Sequence, residues 1–199
     1  MKKLFFAALI LFVSIEASAQ LKLGLKGGWD FLNFDIRESF EGQLKTDNSI
    51  AWNLGVVAQV KLSGNLYLQP EILYSSQRKI EVKPSSLMQP NPDAFDSNAE
   101  ISYFQVPINI LYKFNILVVE PFISGGAYFG YAINRKMPEY YSKESIKKTD
   151  WGVSIGAGVD FWKFQISARY NWGLQDISEV SDIKWKNNKF NVSVAFFIL

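Results

Sequence analysis

No histidine and no cysteine occur in the 199 residues of this chain. The chemistry open to it is therefore that of carboxylates, amines, guanidinium groups and hydroxyls. Loss of imidazole removes the commonest general base and metal ligand, and loss of thiol removes disulfides and thiolate metal sites. Hydrolases that activate a serine or cysteine generally need a histidine base, so those mechanisms do not fit. What remains is a set of charged residues embedded in apolar runs: Lys26, Glu71 and Arg169, then Lys22, Lys113, Glu120 and Asp160. Glu71 or Glu120 could do acid–base work only beside a nucleophile and a substrate pocket, and the sequence marks neither. The simpler reading is that these charges pair with one another in a closed interior, because an isolated buried charge is costly. A proton or ion path is the alternative. No catalytic residue, cofactor or metal site is expected.

Those charges gain a position from the pattern around them. Eight runs place apolar side chains at every second residue, approximately 21–33, 49–62, 65–79, 100–113, 117–133, 149–161, 163–174 and 188–199. In the sixth, Trp151, Val153, Ile155, Ala157, Val159 and Phe161 alternate with Gly152, Ser154, Gly156, Gly158 and Asp160. In the seventh, Phe164, Ile166, Ala168, Tyr170 and Trp172 alternate with Gln165, Ser167, Arg169 and Asn171. The second does the same from Trp52 to Leu62, with Val60 in its apolar set. A period of two is the signature of strands with unlike faces. The apolar set is the larger one, whereas the small, polar or charged set suits a narrow lumen; a soluble barrel buries its apolar set instead.

Long polar segments at 34–48, 80–99, 134–148 and 175–187 alternate with tight turns at Ser63-Gly64, Asn115-Ile116 and Trp162. Long external loops, short periplasmic turns and an even strand count are the pattern of outer-membrane barrels. The first nineteen residues fit that address. Lys2 and Lys3 precede an apolar run from Leu4 to Val13, and Ala17-Ser18-Ala19 forms a small-residue cleavage site. This reads as a signal peptide over residues 1–19, the run being shorter than the about 20 residues a membrane helix needs. Residues 20–199 then form one domain carrying 19 basic and 18 acidic residues, which gives no footprint for nucleic acid. No later stretch is apolar enough for a membrane helix, so any spanning part must be β.

Aromatic placement orients the faces. Runs assigned upward carry outward aromatics late: Trp29, Phe31, Tyr74, Phe129, Tyr131, Tyr170 and Trp172. Downward runs carry them early: Trp52, Phe104, Trp151 and Phe190. All fall at the external rim, and a smaller set of Tyr112, Phe161, Phe164 and Phe196 falls at the other. Two girdles around an aliphatic belt are what a membrane interface selects. The architecture expected is an all-β, eight-stranded antiparallel up-and-down transmembrane barrel in the outer membrane of a Gram-negative cell, with periplasmic termini.

Several segments resemble the PorT-like family of small outer-membrane β-barrels. They are Gly24-Leu25-Lys26-Gly27-Gly28 in the first run, Leu66 to Tyr74 in the third, Tyr103 to Tyr112 in the fourth and Ser124-Gly125-Gly126-Ala127-Tyr128 in the fifth. Their order and spacing cover the whole domain. The resemblance implies an outer-membrane barrel and brings no catalytic residues, although some members are implicated in protein secretion. Pro70 and Pro107 each remove a ladder donor, so a bulge or local break is expected at each.

The first functional expectation is a non-enzymatic barrel with four extracellular loops and a structural or interaction role. An accessory of a secretion or transport assembly with a gated narrow pore is the second, and a soluble lipocalin-like binder of a small apolar ligand the third. Expected partners are outer-membrane lipid, the barrel assembly machinery and a protein at the extracellular loops. The basic stretch Arg135, Lys136, Lys143, Lys147 and Lys148 suits a solvated loop or contact with anionic lipopolysaccharide. Leu87, Met88 and Phe95 are candidate docking residues in the second loop.

Overall fold

A computed structural model describes residues 21–38, 49–80, 99–116, 118–136, 148–175 and 183–199. They form eight strands: β1 (Leu21–Glu38), β2 (Ser49–Ser63), β3 (Leu66–Ile80), β4 (Ala99–Lys113), β5 (Val119–Lys136), β6 (Thr149–Phe161), β7 (Phe164–Gly173) and β8 (Ile183–Phe197). Each pairs antiparallel with its chain neighbours, and β1 pairs with β8 to close the barrel. Closure leaves no free edge through the belt, which lipid demands because it offers no partner for a bare N–H or C=O. The segment 1–19, with Leu87, Met88, Phe95, Lys143 and Lys147, lies outside the described residues.

The period of two sorts side chains as the alternation requires. Leu54, Ile123, Ile155 and Ile166 point outward and are more than half exposed, while Gln59, Gln165 and Lys113 point inward and are fully buried. Val60 departs from its set. It is buried, at 6% exposure, where the ladder seats it between Leu21 and Leu68 beside a register shift at Lys61/Ser63.

Near the loop end every strand carries an outward aromatic, and six pairs of them stand in register. Phe31 pairs with Phe190, Phe190 with Tyr170, Phe129 with Trp151, Tyr131 with Phe104, Phe104 with Tyr74, and Trp52 with Trp29. Ring contacts reinforce the belt at Trp52–Tyr74, 5.6 Å, and Tyr170–Trp172, 4.8 Å. At the turn end Phe164 packs on Phe196 at 5.1 Å and Tyr112 on Phe114 at 5.1 Å. The two contacts that join different strands, Trp52–Tyr74 and Phe164–Phe196, contribute a few tenths to about 1 kcal/mol each.

Both prolines interrupt ladders without changing their register. β2–β3 pairing lapses at Pro70, between Val57↔Glu71 and Val60↔Leu68, and β3–β4 pairing lapses at Pro107, between Pro70↔Ile108 and Leu73↔Gln105. They are local breaks, and the register shifts lie elsewhere, at Lys61/Ser63, Arg78/Ile80 and Ser102/Tyr103. The turns at Gly64 and Trp162 share one device, a positive φ at the first of two turn residues (51° and 54°). Glycine takes that conformation freely, whereas tryptophan takes it at a steric cost.

Three strands overrun the expected boundaries. β1 continues to Glu38 and β8 begins at Ile183, pairing together from Phe34↔Asn187 to Glu38↔Ile183 inside segments expected to be loops. β5 carries Asn134, Arg135 and Lys136 along β4, so these two basic residues belong to a strand end and not to a loop. Polar composition misplaces such ends because a strand rising out of the hydrocarbon no longer needs an apolar face.

Ile155, in mid-strand between Gly125 and Tyr170, tests the outward belt. Ile155→Arg is expected to cost about 2–4 kcal/mol in a denaturant titration of the barrel refolded into lipid vesicles, with Ile155→Leu near wild type. Equal midpoints for the two variants would take that face out of hydrocarbon.

Candidate functional site

The lumen is where the chain concentrates its chemistry. Eight strands enclose just enough space for side chains to fill, and the inward residues set how it is filled. Where β5 presents the large Phe122 and Tyr128, β6 answers with Gly158 and Gly152 in register. A Cβ at Gly152 would fall within 3.0 Å of the Tyr128 ring and of the Trp172 carbonyl.

Glu71 on β3 is the hub of the ionic groups. Lys26 Nζ of β1 donates to its Oε1 at 2.8 Å, and Arg169 Nη2 of β7 donates to Oε1 and Oε2 at 2.9 and 3.0 Å. Gln69 Nε2 adds a fourth bond at 2.9 Å. Gln69 is in turn the branch point, taking bonds on Oε1 from Gln59 Nε2 at 3.0 Å and Gln165 Nε2 at 3.1 Å. Gln165 also donates to Asp160 Oδ1 at 2.8 Å. Lys113 on β4 closes the circuit, reaching Gln59 Oε1 at 2.8 Å, Asp160 Oδ2 at 2.5 Å and Glu120 Oε2 at 3.1 Å. Its ammonium also lies 4.3 Å from the centre of the Tyr67 ring, a cation–π distance. One connected network thus draws on β1 through β7.

Six of the seven charged residues singled out from the sequence meet in that network. Lys22 does not; its Nζ lies 6.0 Å from the centre of the Phe197 ring near the turn end. The sequence reading did not single out the amides Gln59, Gln69 and Gln165, which share the inward parity and bridge the ions. It also passed over a second set nearer the loop end. There Asp30 accepts from Ser75 Oγ at 3.2 Å and from Asn191 Nδ2 at 2.6 Å. Lys189 Nζ donates to Gln105 Oε1 at 2.8 Å and lies 5.2 Å from the Tyr128 ring, and the Tyr128 hydroxyl approaches Asp150 Oδ1 at 3.4 Å. The signal was available, since Asp30 and Lys189 fall on the inward parity of β1 and β8.

The charges balance. Among the described residues, the buried cations are Lys26, Lys113, Arg169 and Lys189, and the buried carboxylates are Asp30, Glu71, Asp150 and Asp160. With four of each, no ion need stand alone at low dielectric. No group of three or more acidic residues that could hold a metal occurs among the described residues.

An apolar exterior around a closed antiparallel barrel and a neutralised polar lumen set the stage for the comparisons. The profile of the outer membrane protein beta-barrel domain matches residues 16–179. The chain belongs to that family. A search of curated proteins finds no match. Among solved structures, the Neisserial surface protein NspA is similar over 90% of this chain and 98% of its own, at 11% identity and a TM-score of 0.53. The outer membrane enzyme PagL is similar over 88% of this chain and 98% of its own, at 12% identity and a TM-score of 0.51. Identities this low show a common fold alone. Since PagL is an enzyme, the outer-membrane barrel fold does not decide for or against catalysis. The lumen must be read on its own, and at its centre the ions Lys26, Glu71, Arg169, Lys113 and Asp160 are paired with one another and bridged by Gln59, Gln69 and Gln165.

Arg169 and Glu71 give that reading a quantitative edge. Arg169→Ala leaves Glu71 with Lys26 and Gln69 only, and breaking a buried pair costs at most about 3–5 kcal/mol. The expected result is a lower thermal midpoint for Arg169→Ala, partly restored by Glu71→Gln in the same chain. Additive effects of the two substitutions would show that the residues act separately.

Proposed function

We propose that this outer-membrane barrel is a closed, non-enzymatic scaffold that holds four connecting segments at one rim, outside the cell, for a structural or interaction role. The observation that carries the reading is the lumenal network, in which Glu71, Gln69 and Lys113 tie seven strands together. Among the described residues the plug ties its carboxylates up with Lys26, Arg169 and Lys113 and encloses a cavity of only about 10 Å³, which favours a scaffold over a catalyst. In this proposal the first nineteen residues are a cleaved leader, both ends of the mature chain are periplasmic, and the turns at Gly64 and Trp162 face the periplasm. The order of the Gly-rich, Leu66–Tyr74 and Tyr103–Tyr112 segments supports a PorT-like relationship within the broader family.

Two measurements test it. In a planar bilayer the wild-type barrel is expected to show no steady conductance, whereas Arg169→Ala combined with Lys113→Ala should admit brief openings. A large, stable wild-type conductance would replace the plug by a gated pore. On intact cells, tags inserted within 81–98 and within 137–147 should label with an impermeant reagent, and a tag at Gly64 should not. Labelling confined to Gly64 would invert the orientation.

A further inference from the structure

We infer that the lumen contains a built site for a single internal water, held by Asn109. Asn109 lies on β4 at 2% exposure. Its Oδ1 accepts from Ser154 Oγ at 3.0 Å, but its Nδ2 has no hydrogen-bond partner. A buried amide donor left unpaired carries the full cost of its desolvation, so a partner is strongly favoured. Asn109 lines a small cavity of about 10 Å³ whose wall is mixed, with Gln69, Ser124, Ser167 and Arg169 beside Leu111, Phe122 and Ala168. That volume is at the lower limit of about 10–15 Å³ for one water, and it excludes anything larger. Polar side chains from β3, β4, β5 and β7 line it, and a buried water typically takes two to four such partners.

The ligand must accept a hydrogen bond from Nδ2 and be no larger than water. It then has the Ser124 hydroxyl and the Ser167 hydroxyl on the cavity wall as partners, Ser167 being already paired with Ser193 Oγ at 2.9 Å. In that position it links Asn109 and Ser154 to Gln69 and Arg169, which belong to the Glu71 network.

Water itself is the probe. In the complete barrel refolded in detergent micelles and labelled with ¹⁵N at asparagine and glutamine side chains, the Asn109 amide protons should show a cross-peak to long-lived water. The Gln59 amide, buried but bonded at both ends, is the internal control and should show none. Asn109→Leu assigns the signal by removing it. Ser124→Val fills the cavity and is expected to abolish the water cross-peak while the Asn109 amide stays visible. A wild-type spectrum in which the Asn109 amide is seen without a water cross-peak would overturn the site. Should Ser124→Val fail to refold, a crystal structure decides: density within hydrogen-bond distance of Nδ2 supports the site, and an empty cavity refutes it.

Discussion

Hydrocarbon offers no hydrogen-bond partner, so each backbone N–H and C=O within the belt must find one in the chain. The β1–β8 ladder, running from Gly24↔Phe197 to Glu38↔Ile183, satisfies that constraint by joining the first strand to the last. Much else follows. Closing only eight strands fixes a lumen so narrow that side chains fill it, and any charge placed there is cut off from bulk water. Lipid claims the apolar face of every strand, so the polar face is forced inward. The buried ions are thus a consequence of closure, and their balance, four against four among the described residues, is the condition for tolerating it.

A polar interior is not the most stable interior in principle, since well-packed apolar side chains often match or exceed a buried ion pair. Strand chemistry supplies a reason for it here. A strand apolar on both faces would be a continuous hydrophobic run of high β-propensity, the kind of segment that aggregates before it is paired. Alternation with Gln, Asn, Ser and charged residues interrupts each run at every second residue. Glu71 then does locally what closure does globally. It accepts from Lys26, Arg169 and Gln69, and so turns an obligatory burial into a cross-link between β1, β3 and β7.

Strand number, order and faces were legible because lipid and lumen impose opposite demands on adjacent residues. Trp52, Ile155 and Phe164 read as outward and Asp160, Gln165 and Arg169 as inward, and they lie so. Legibility ended where the demand ended. Above the belt neither face must be apolar, so the outer reaches of β1, β5 and β8 looked like loop. Within the lumen, parity says that a residue points inward but not which partner it meets across the barrel. Gln69 and Lys113 acquire their roles from side chains on strands up to 96 residues away in sequence. The local breaks at Pro70 and Pro107 were legible for a different reason, since a missing N–H is a property of the residue itself.

Polar satisfaction within the lumen is uneven, and the unevenness has a direction. Around Lys113 and Gln165 each amide and ion finds protein partners, which is what a dense set of long side chains achieves when several strands converge. Asn53, by contrast, is buried with neither amide atom bonded, and Gln105 leaves its Nε2 unpaired. Asn53 pairs by register with Gly28, which sits on β1 between Lys26 of the Glu71 network and Asp30 of the set nearer the loop end. Gly28 contributes no side chain to answer it, and a Cβ there would strike the Ser193 backbone on β8. The close approach of β1 to β8 that seals the barrel leaves no room at Gly28 for a side chain that could answer Asn53. At that level backbone closure sets the spacing, because a backbone N–H or C=O left open in lipid has no other partner to find.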